Sequence, residues 1–167
     1  MTTDVWSGIR AGVLTCSDSC AYRGLPDVSG RWLVQTLEAL GCAEVRYAVV
    51  PDEFDRIRET LDTWSRDCHF VATVGGTGFA PRDVTPEATR AVIEREAPNL
   101  VEYLRLRTGS ADPKAYLSRA VAGVRGRCLI VNFPGNPRAV EAYWTALTPL
   151  LDHIVHLLLG HPIHARS

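Results

Sequence analysis

Phe70-Val71-Ala72-Thr73-Val74-Gly75-Gly76-Thr77-Gly78 decides the fold of this 167-residue chain. Five β-prone residues run without polar alternation and stop at a glycine cluster. Such a run reads as a strand buried on both faces, as in a parallel sheet, that feeds a loop.

The segments on either side repeat that logic. Upstream, the run from Ile9 to Thr15 predicts a first strand ending in a loop at Ser17-Asp18-Ser19. Leu33, Leu37 and Leu40 then recur at helical spacing before Gly41, a residue suited to end a helix. Val45 to Val50 predicts a second strand, and Phe54, Ile57, Leu61 and Trp64 mark the apolar face of a second helix. Downstream, Thr85-Pro86-Glu87 predicts a helix start, with the Thr85 hydroxyl as cap, Pro86 in the first turn and Glu87 matched to the dipole. A further helix is expected around Leu100 to Arg107, ended by Gly109-Ser110-Ala111-Asp112-Pro113. Val121 to Val131 predicts two strands hinged at Gly126, and a broad apolar stripe from Val140 to Leu158 predicts a long last helix in which Pro149 could introduce a kink. Alternating strands and helices give an α/β fold: a single-domain three-layer sandwich with a mostly parallel sheet, helices on both faces and a C-terminal β-hairpin. We expect residues 1–8 to be a tail, 9–159 the domain and 160–167 a second tail.

Bulk properties narrow the function. With 46% hydrophobic and 22% charged residues the composition is that of a globular protein. A net charge of −1 offers no cationic excess for a phosphate backbone, so no nucleic acid is expected as partner. No apolar run reaches the roughly 20 residues a membrane helix needs, and Met1-Thr2-Thr3-Asp4 does not resemble a signal peptide, so a cytoplasmic protein is expected. Five cysteines, Cys16, Cys20, Cys42, Cys68 and Cys128, show no Cys-x-x-Cys spacing and read as reduced thiols. His153 and His156 lie three apart on the last helix without a Cys or Glu partner and read as core or interface packing residues, while His161 and His164 read as tail residues.

Chemistry concentrates where the strands end. Gly75, Gly76, Thr77 and Gly78 could bring backbone amides close to a phosphate, or could be a plain tight turn; the spacing matches neither the Walker nor the dinucleotide pattern. Arg82 and Asp83 follow beside that loop. Arg82 could hold a phosphate or enter a salt bridge, and Asp83 could coordinate Mg²⁺ shared with phosphate oxygens or serve the helix end. Asp52, directly after the second strand, is either a second acidic site residue or the cap of the helix that follows. Ser17 and Asp18, and the Pro134-Gly135-Asn136-Pro137 turn, make the same double claim as ligand contacts or turn formers.

Taken together the motifs resemble the molybdopterin adenylyltransferase family, in particular the amino-terminal G domain of gephyrin. The resemblance rests on Leu14-Thr15-Cys16-Ser17-Asp18-Ser19-Cys20, Val50-Pro51-Asp52-Glu53, the run from Gly75 through Thr89, Ile93 to Pro98, Leu117-Ser118-Arg119 and Phe133-Pro134-Gly135. It implies transfer of AMP from Mg-ATP to the terminal phosphate of molybdopterin, with pyrophosphate released. By the same resemblance Asp83 and Asp52 would be catalytic and hold Mg²⁺. Ser17, Asp18, Gly75, Gly76, Thr77, Gly78, Arg82, Ser118, Pro134, Gly135 and Asn136 would line the pocket for nucleotide and pterin. A homotrimer and a downstream molybdate-insertion enzyme are also implied; gephyrin carries that second activity on a further domain, and no such domain is read in this sequence. Val74 in place of a Thr, and Asn136 where Ser is usual, predict altered contacts rather than lost function. The competing expectation is a catalytically weak trimeric pterin-binding or scaffold module.

Overall fold

The computed structural model describes residues 5–160. Its chain order is β1 (Arg10–Cys16), α1 (Asp18–Arg23), α2 (Val28–Ala39), β2 (Glu44–Val50), α3 (Phe54–Trp64) and β3 (Phe70–Val74). Then follow α4 (Thr85–Arg90), β4 (Arg95–Glu96), α5 (Pro98–Gly109), β5 (Ala122–Arg125), β6 (Cys128–Phe133) and α6 (Pro137–Leu158). The six strands form one sheet in the order β2-β1-β3-β6-β5-β4. β2, β1, β3 and β6 are parallel, whereas β5 runs antiparallel to both β6 and β4.

Strand alternation distributes the core into two layers. Ala11, Val13, Phe70, Ala72, Leu129 and Val131 face α2, α5 and α6, where Leu33, Leu37, Leu104, Val140 and Leu147 cover them. Leu14, Cys16, Val71 and Ile130 point the other way, under Ile57 and Leu61 of α3 and Ala88 of α4. Every residue of β3 is buried, as a strand in the middle of a covered sheet requires. Phe133 and Phe70 meet Tyr143 and Trp144 of α6 at ring separations of 5.8 and 6.4 Å, and α6 continues through Pro149 as one helix. Gly126 makes the hairpin turn with φ of 57°.

A buried polar bridge ties β3, β6 and α4 together. The Asn132 amide donates to Thr73 Oγ1 at 2.8 Å and Thr89 Oγ1 at 2.9 Å, and its carbonyl accepts from the Val121 amide at 3.0 Å. Asn132 is fully buried, so each of these bonds satisfies a group that water does not reach.

Several sequence expectations need correction. Ser17-Asp18-Ser19 is not a loop: Ser17 caps the short helix α1, its hydroxyl accepting from the Cys20 amide at 3.2 Å. Thr85 does not cap α4, because Val84 holds the cap position and the Thr85 hydroxyl lies buried beside the Cys16 thiol. His153 is exposed on this chain, which excludes core packing for it. Val5–Gly8 forms a 3₁₀ turn with Trp6 buried, its indole donating to Asp152 at 2.9 Å. Met1 to Asp4, His161 and His164 lie outside the described residues.

Candidate active site

In the strand order, β1 connects outward to β2, and the chain then crosses back to place β3 on the other side of β1. At such a reversal the loops leaving two neighbouring strands diverge and open a crevice at the carboxyl edge of the sheet. A cleft of about 640 Å³ occupies that place, walled by Thr15 to Cys20 after β1, Asp52 after β2, Val74 to Gly76 after β3, and Gly135 with Pro137 after β6. Ala80, Arg82 and Asp83 close one side, and Pro26 to Ser29 at the start of α2 close another.

The two carboxylates singled out from the sequence therefore share one cleft. Asp52 is not the helix cap: Glu53 holds that position without a side-chain bond. Instead Asp52 and Asp18 are bonded reciprocally, each carboxylate accepting from the other's backbone amide, at 3.0 Å for Asp18 N to Asp52 Oδ2 and 2.9 Å for Asp52 N to Asp18 Oδ1. Asp18 also takes both arms of Arg82 at 2.9 Å. Arg82 thus holds its neighbour's carboxylate below the ordinary range. Burial pushes Asp52 above that range, the Asp18 amide bond opposes, and the Asp18 and Asp83 charges push it further up. Asp52 Oδ1 is buried with no hydrogen-bond partner. Asp83 uses Oδ2 to accept from the Ala80 amide at 3.0 Å.

The glycines earn their places by geometry. Gly75 and Gly76 have φ of 93° and 68°, in the left-handed region that side chains rarely adopt. A Cβ on Gly76 would fall 2.3 Å from Thr85 Oγ1 and 2.9 Å from Asp52 Oδ1. Among the described residues no acceptor is found for the amides of Gly76, Thr77, Gly78 or Phe79, although Gly76, Thr77 and Gly78 all use their carbonyls. A run of unpaired amides in a loop with left-handed residues is suited to an anion.

Not every expected residue reaches the cleft wall. Gly75, Gly76, Ser17, Asp18, Arg82, Asp83, Asp52 and Gly135 do, whereas Thr77, Gly78, Ser118, Pro134 and Asn136 do not line it. Ser118 Oγ accepts from the Ala120 amide at 3.2 Å, and Asn136 caps α6 by accepting from Arg138 N at 2.9 Å. Cys16 borders the cleft as a buried thiol whose pKa burial pushes up to about 12, with Thr85 lowering and Asp52 raising it, so it is no ready nucleophile.

Other residues at the cleft escaped the sequence reading. Asp27 caps α2 by accepting from Gly30 N at 3.0 Å, and its Oδ2 accepts from Thr15 Oγ1 and Tyr47 Oη at 2.6 Å each. Pro-Asp ahead of an apolar helix was the available signal for the cap. Ser29 Oγ donates to Gly135 O at 2.7 Å and so joins the α2 and α6 entrances across 106 residues of sequence, which no local pattern reveals. A smaller hollow of about 340 Å³ opens at the opposite edge, around Arg10, Arg66, Arg125 and Arg127. Arg66 and Arg125 there are paired with Asp62, Arg10 donates to the Asp67 carbonyl, and the carboxylates of Asp67 and Glu94 share the wall.

Comparison with known proteins places the chain. Residues 12–153 match the family model described as "Probable molybdopterin binding domain". The chain belongs to this molybdopterin-binding family. The "Molybdenum cofactor synthesis protein cinnamon" of Drosophila melanogaster is 42% identical over 153 residues, covering 90% of this chain; the chain spans only 26% of that longer protein. A "Molybdopterin adenylyltransferase" of Helicobacter pylori is 37% identical over 157 residues, covering 92% of this chain and 89% of its own length. A solved "molybdopterin biosynthesis protein from Mycobacterium abscessus" superposes with a TM-score of 0.86 at 34% identity, over 93% of this chain and 99% of that one. No helix among the described residues of this family member is long and apolar enough to cross a membrane.

Proposed function

We propose that the protein is a molybdopterin adenylyltransferase of molybdenum cofactor biosynthesis, transferring AMP from Mg-ATP to the terminal phosphate of molybdopterin. The observation that carries this reading is that Asp52, Asp83 and the left-handed glycine pair wall one cleft at the crossover of the sheet. The Helicobacter pylori relative, matched over nearly its whole length, supports the same chemistry.

In the reaction an oxygen of the pterin phosphate bonds to the α-phosphorus of ATP. The bond from that phosphorus to the bridging oxygen breaks, and pyrophosphate leaves. Both partners are anions, so the protein's task is to align them and offset their charge. The unpaired amides of residues 76–79 are suited to phosphate oxygens. Asp18 and Arg82, locked as a bidentate pair, form a rigid wall and orient Asp52 through the reciprocal amide bonds. Mg²⁺ fits this donor set: Asp52 Oδ1 has no partner within the protein, and one or two carboxylates suffice when phosphate and water supply the other ligands. Among the described residues no cluster of three or more His, Cys, Asp or Glu side chains forms a complete metal cage, in keeping with a cation that arrives with its nucleotide. When bound, the ion would neutralise part of the triphosphate charge.

The same reading takes the protein as a cytoplasmic homotrimer whose product passes to a molybdate-insertion step. Leu150 and Leu157, 38% and 56% exposed on α6, support a subunit contact there. The deciding experiment incubates the protein with molybdopterin, Mg²⁺ and ATP and looks for adenylylated pterin by mass spectrometry. Wild-type protein should form it, and Asp83→Asn should lower the rate by about 100-fold or more while keeping the fold. Equal rates for the two proteins would defeat the assignment of Asp83.

A further inference from the structure

We propose that Arg119 is the positioning residue of the transfer reaction, holding the glycine loop and the Asp83 turn in a single frame; this rests on the function proposed above. Arg119 lies outside the cleft wall, in the segment between α5 and β5. Its backbone amide donates to Thr77 O at 2.8 Å, its Nε to Gly78 O at 2.8 Å and one terminal nitrogen to Asp83 O at 2.8 Å. The other terminal nitrogen pairs with Glu87 of α4. One residue thus ties down the loop after β3, the turn carrying the acidic group and the helix behind them.

What this does to the loop follows from peptide geometry. In a trans peptide the N–H points opposite to the carbonyl of the preceding residue. With the carbonyls of Thr77 and Gly78 both drawn to Arg119, the amides of Gly78 and Phe79 are turned away from it. These are two of the amides for which no acceptor is found among the described residues. The Asp83 backbone is held by the same guanidinium, while its carboxylate and amide are closed onto Ala80 at 3.0 and 2.9 Å. The Phe79 amide and the Asp83 turn are therefore held at a common spacing by one planar group, while the Gly78 amide is set through the Arg119 backbone, which either variant keeps. A lysine cannot reproduce this, because a single ammonium has no fork to span two carbonyls and a carboxylate. Loss of positioning on the order of 1 Å can cost about 100-fold in rate.

The test compares wild type, Arg119→Lys and Arg119→Ala in two measurements. One is the steady-state rate of adenylylation per folded molecule, with the folded fraction taken from near-ultraviolet circular dichroism. The other is the calorimetric Kd for Mg-ATP. Positioning predicts that kcat falls about 100-fold in Arg119→Ala and about 10-fold in Arg119→Lys. The KM for molybdopterin should stay within about threefold and the Kd for Mg-ATP rise about 10-fold. A purely structural part would lower the melting temperature but leave kcat per folded molecule and the Kd unchanged, and that result overturns the proposal. If Arg119→Ala is unfolded at the assay temperature, Arg119→Lys decides by the same criteria. Should wild type form no adenylylated pterin, the functional reading fails, and the clamp stands or falls on the Kd change alone.

Discussion

Replacing Asp52 by Asn should stop turnover and at the same time make the protein more stable at neutral pH. The carboxylate is buried beside the charges of Asp18 and Asp83, its Oδ1 has no partner, and its pKa lies above the ordinary range chiefly because of that burial. A buried acceptor left unsatisfied costs about 1–3 kcal/mol. The low end applies here, because the Asp18 amide bond and Arg82 recover part of the charge. In the variant the amide oxygen can keep the Asp18 amide bond, and the half-buried charge beside Asp18 and Asp83 is gone. A gain of about 1 kcal/mol raises the melting temperature by about 2–4 °C in a chain of this size. The pH dependence gives the sign. Below the unfolded-state pKa both states hold the proton and the wild type carries no penalty. As pH rises through the raised folded-state value, the unfolded chain gains from ionising earlier, and wild-type stability falls. The advantage of Asp52→Asn should therefore grow as pH rises toward about 7 and vanish toward about pH 4, where an ordinary aspartate takes up its proton. Thermal melts in EDTA at both values measure it. A variant that melts below wild type at neutral pH, or a difference that ignores pH, would refute the reasoning.

Three further outcomes follow from the packing. Gly76→Ala, with φ of 68° and a Cβ driven against Thr85 and Asp52, should cost at least the 1–2 kcal/mol of a left-handed alanine and weaken Mg-ATP binding, read by urea titration and calorimetry. Asn132→Ala strips partners from Val121 N, Thr73 and Thr89 in the sealed core, so a loss of about 2–4 kcal/mol is expected; a loss under about 1 kcal/mol would mean that water replaces the amide. Trp6→Ala should lose about 3 kcal/mol in the same titration, because the indole is buried and bonded to Asp152; a neutral result would make the segment before β1 a true tail.

The sequence was most legible where local patterns and tertiary demands agree. β3 matches its expected span, because an unbroken β-prone run bounded by glycines has few alternatives, and the hairpin turned where Gly126 stands. α1 was misread because it buries none of its six residues, so there was no apolar period to detect. β4 is two exposed residues defined only by pairing with β5. The site divides the same way. Glycines, Asp52 and Asp83 announce themselves at strand ends, but whether Asp52 caps its own helix or grips Asp18, 34 residues away, is settled only by the meeting of β1 and β2. Arg119 belongs to the least legible class, since every group it holds lies in residues 77–87.

One consequence concerns synthesis. The amide of Gly75 is anchored to Phe133 O, and β6 is inserted between β3 and β5. A ribosome that has released only the first two thirds of the chain presents β3 with one side bare and the glycine loop without its bonds to Phe133 and Arg119. Completion of the cleft must wait for the last quarter to emerge, because β6 and the turn at Gly135 supply its remaining wall.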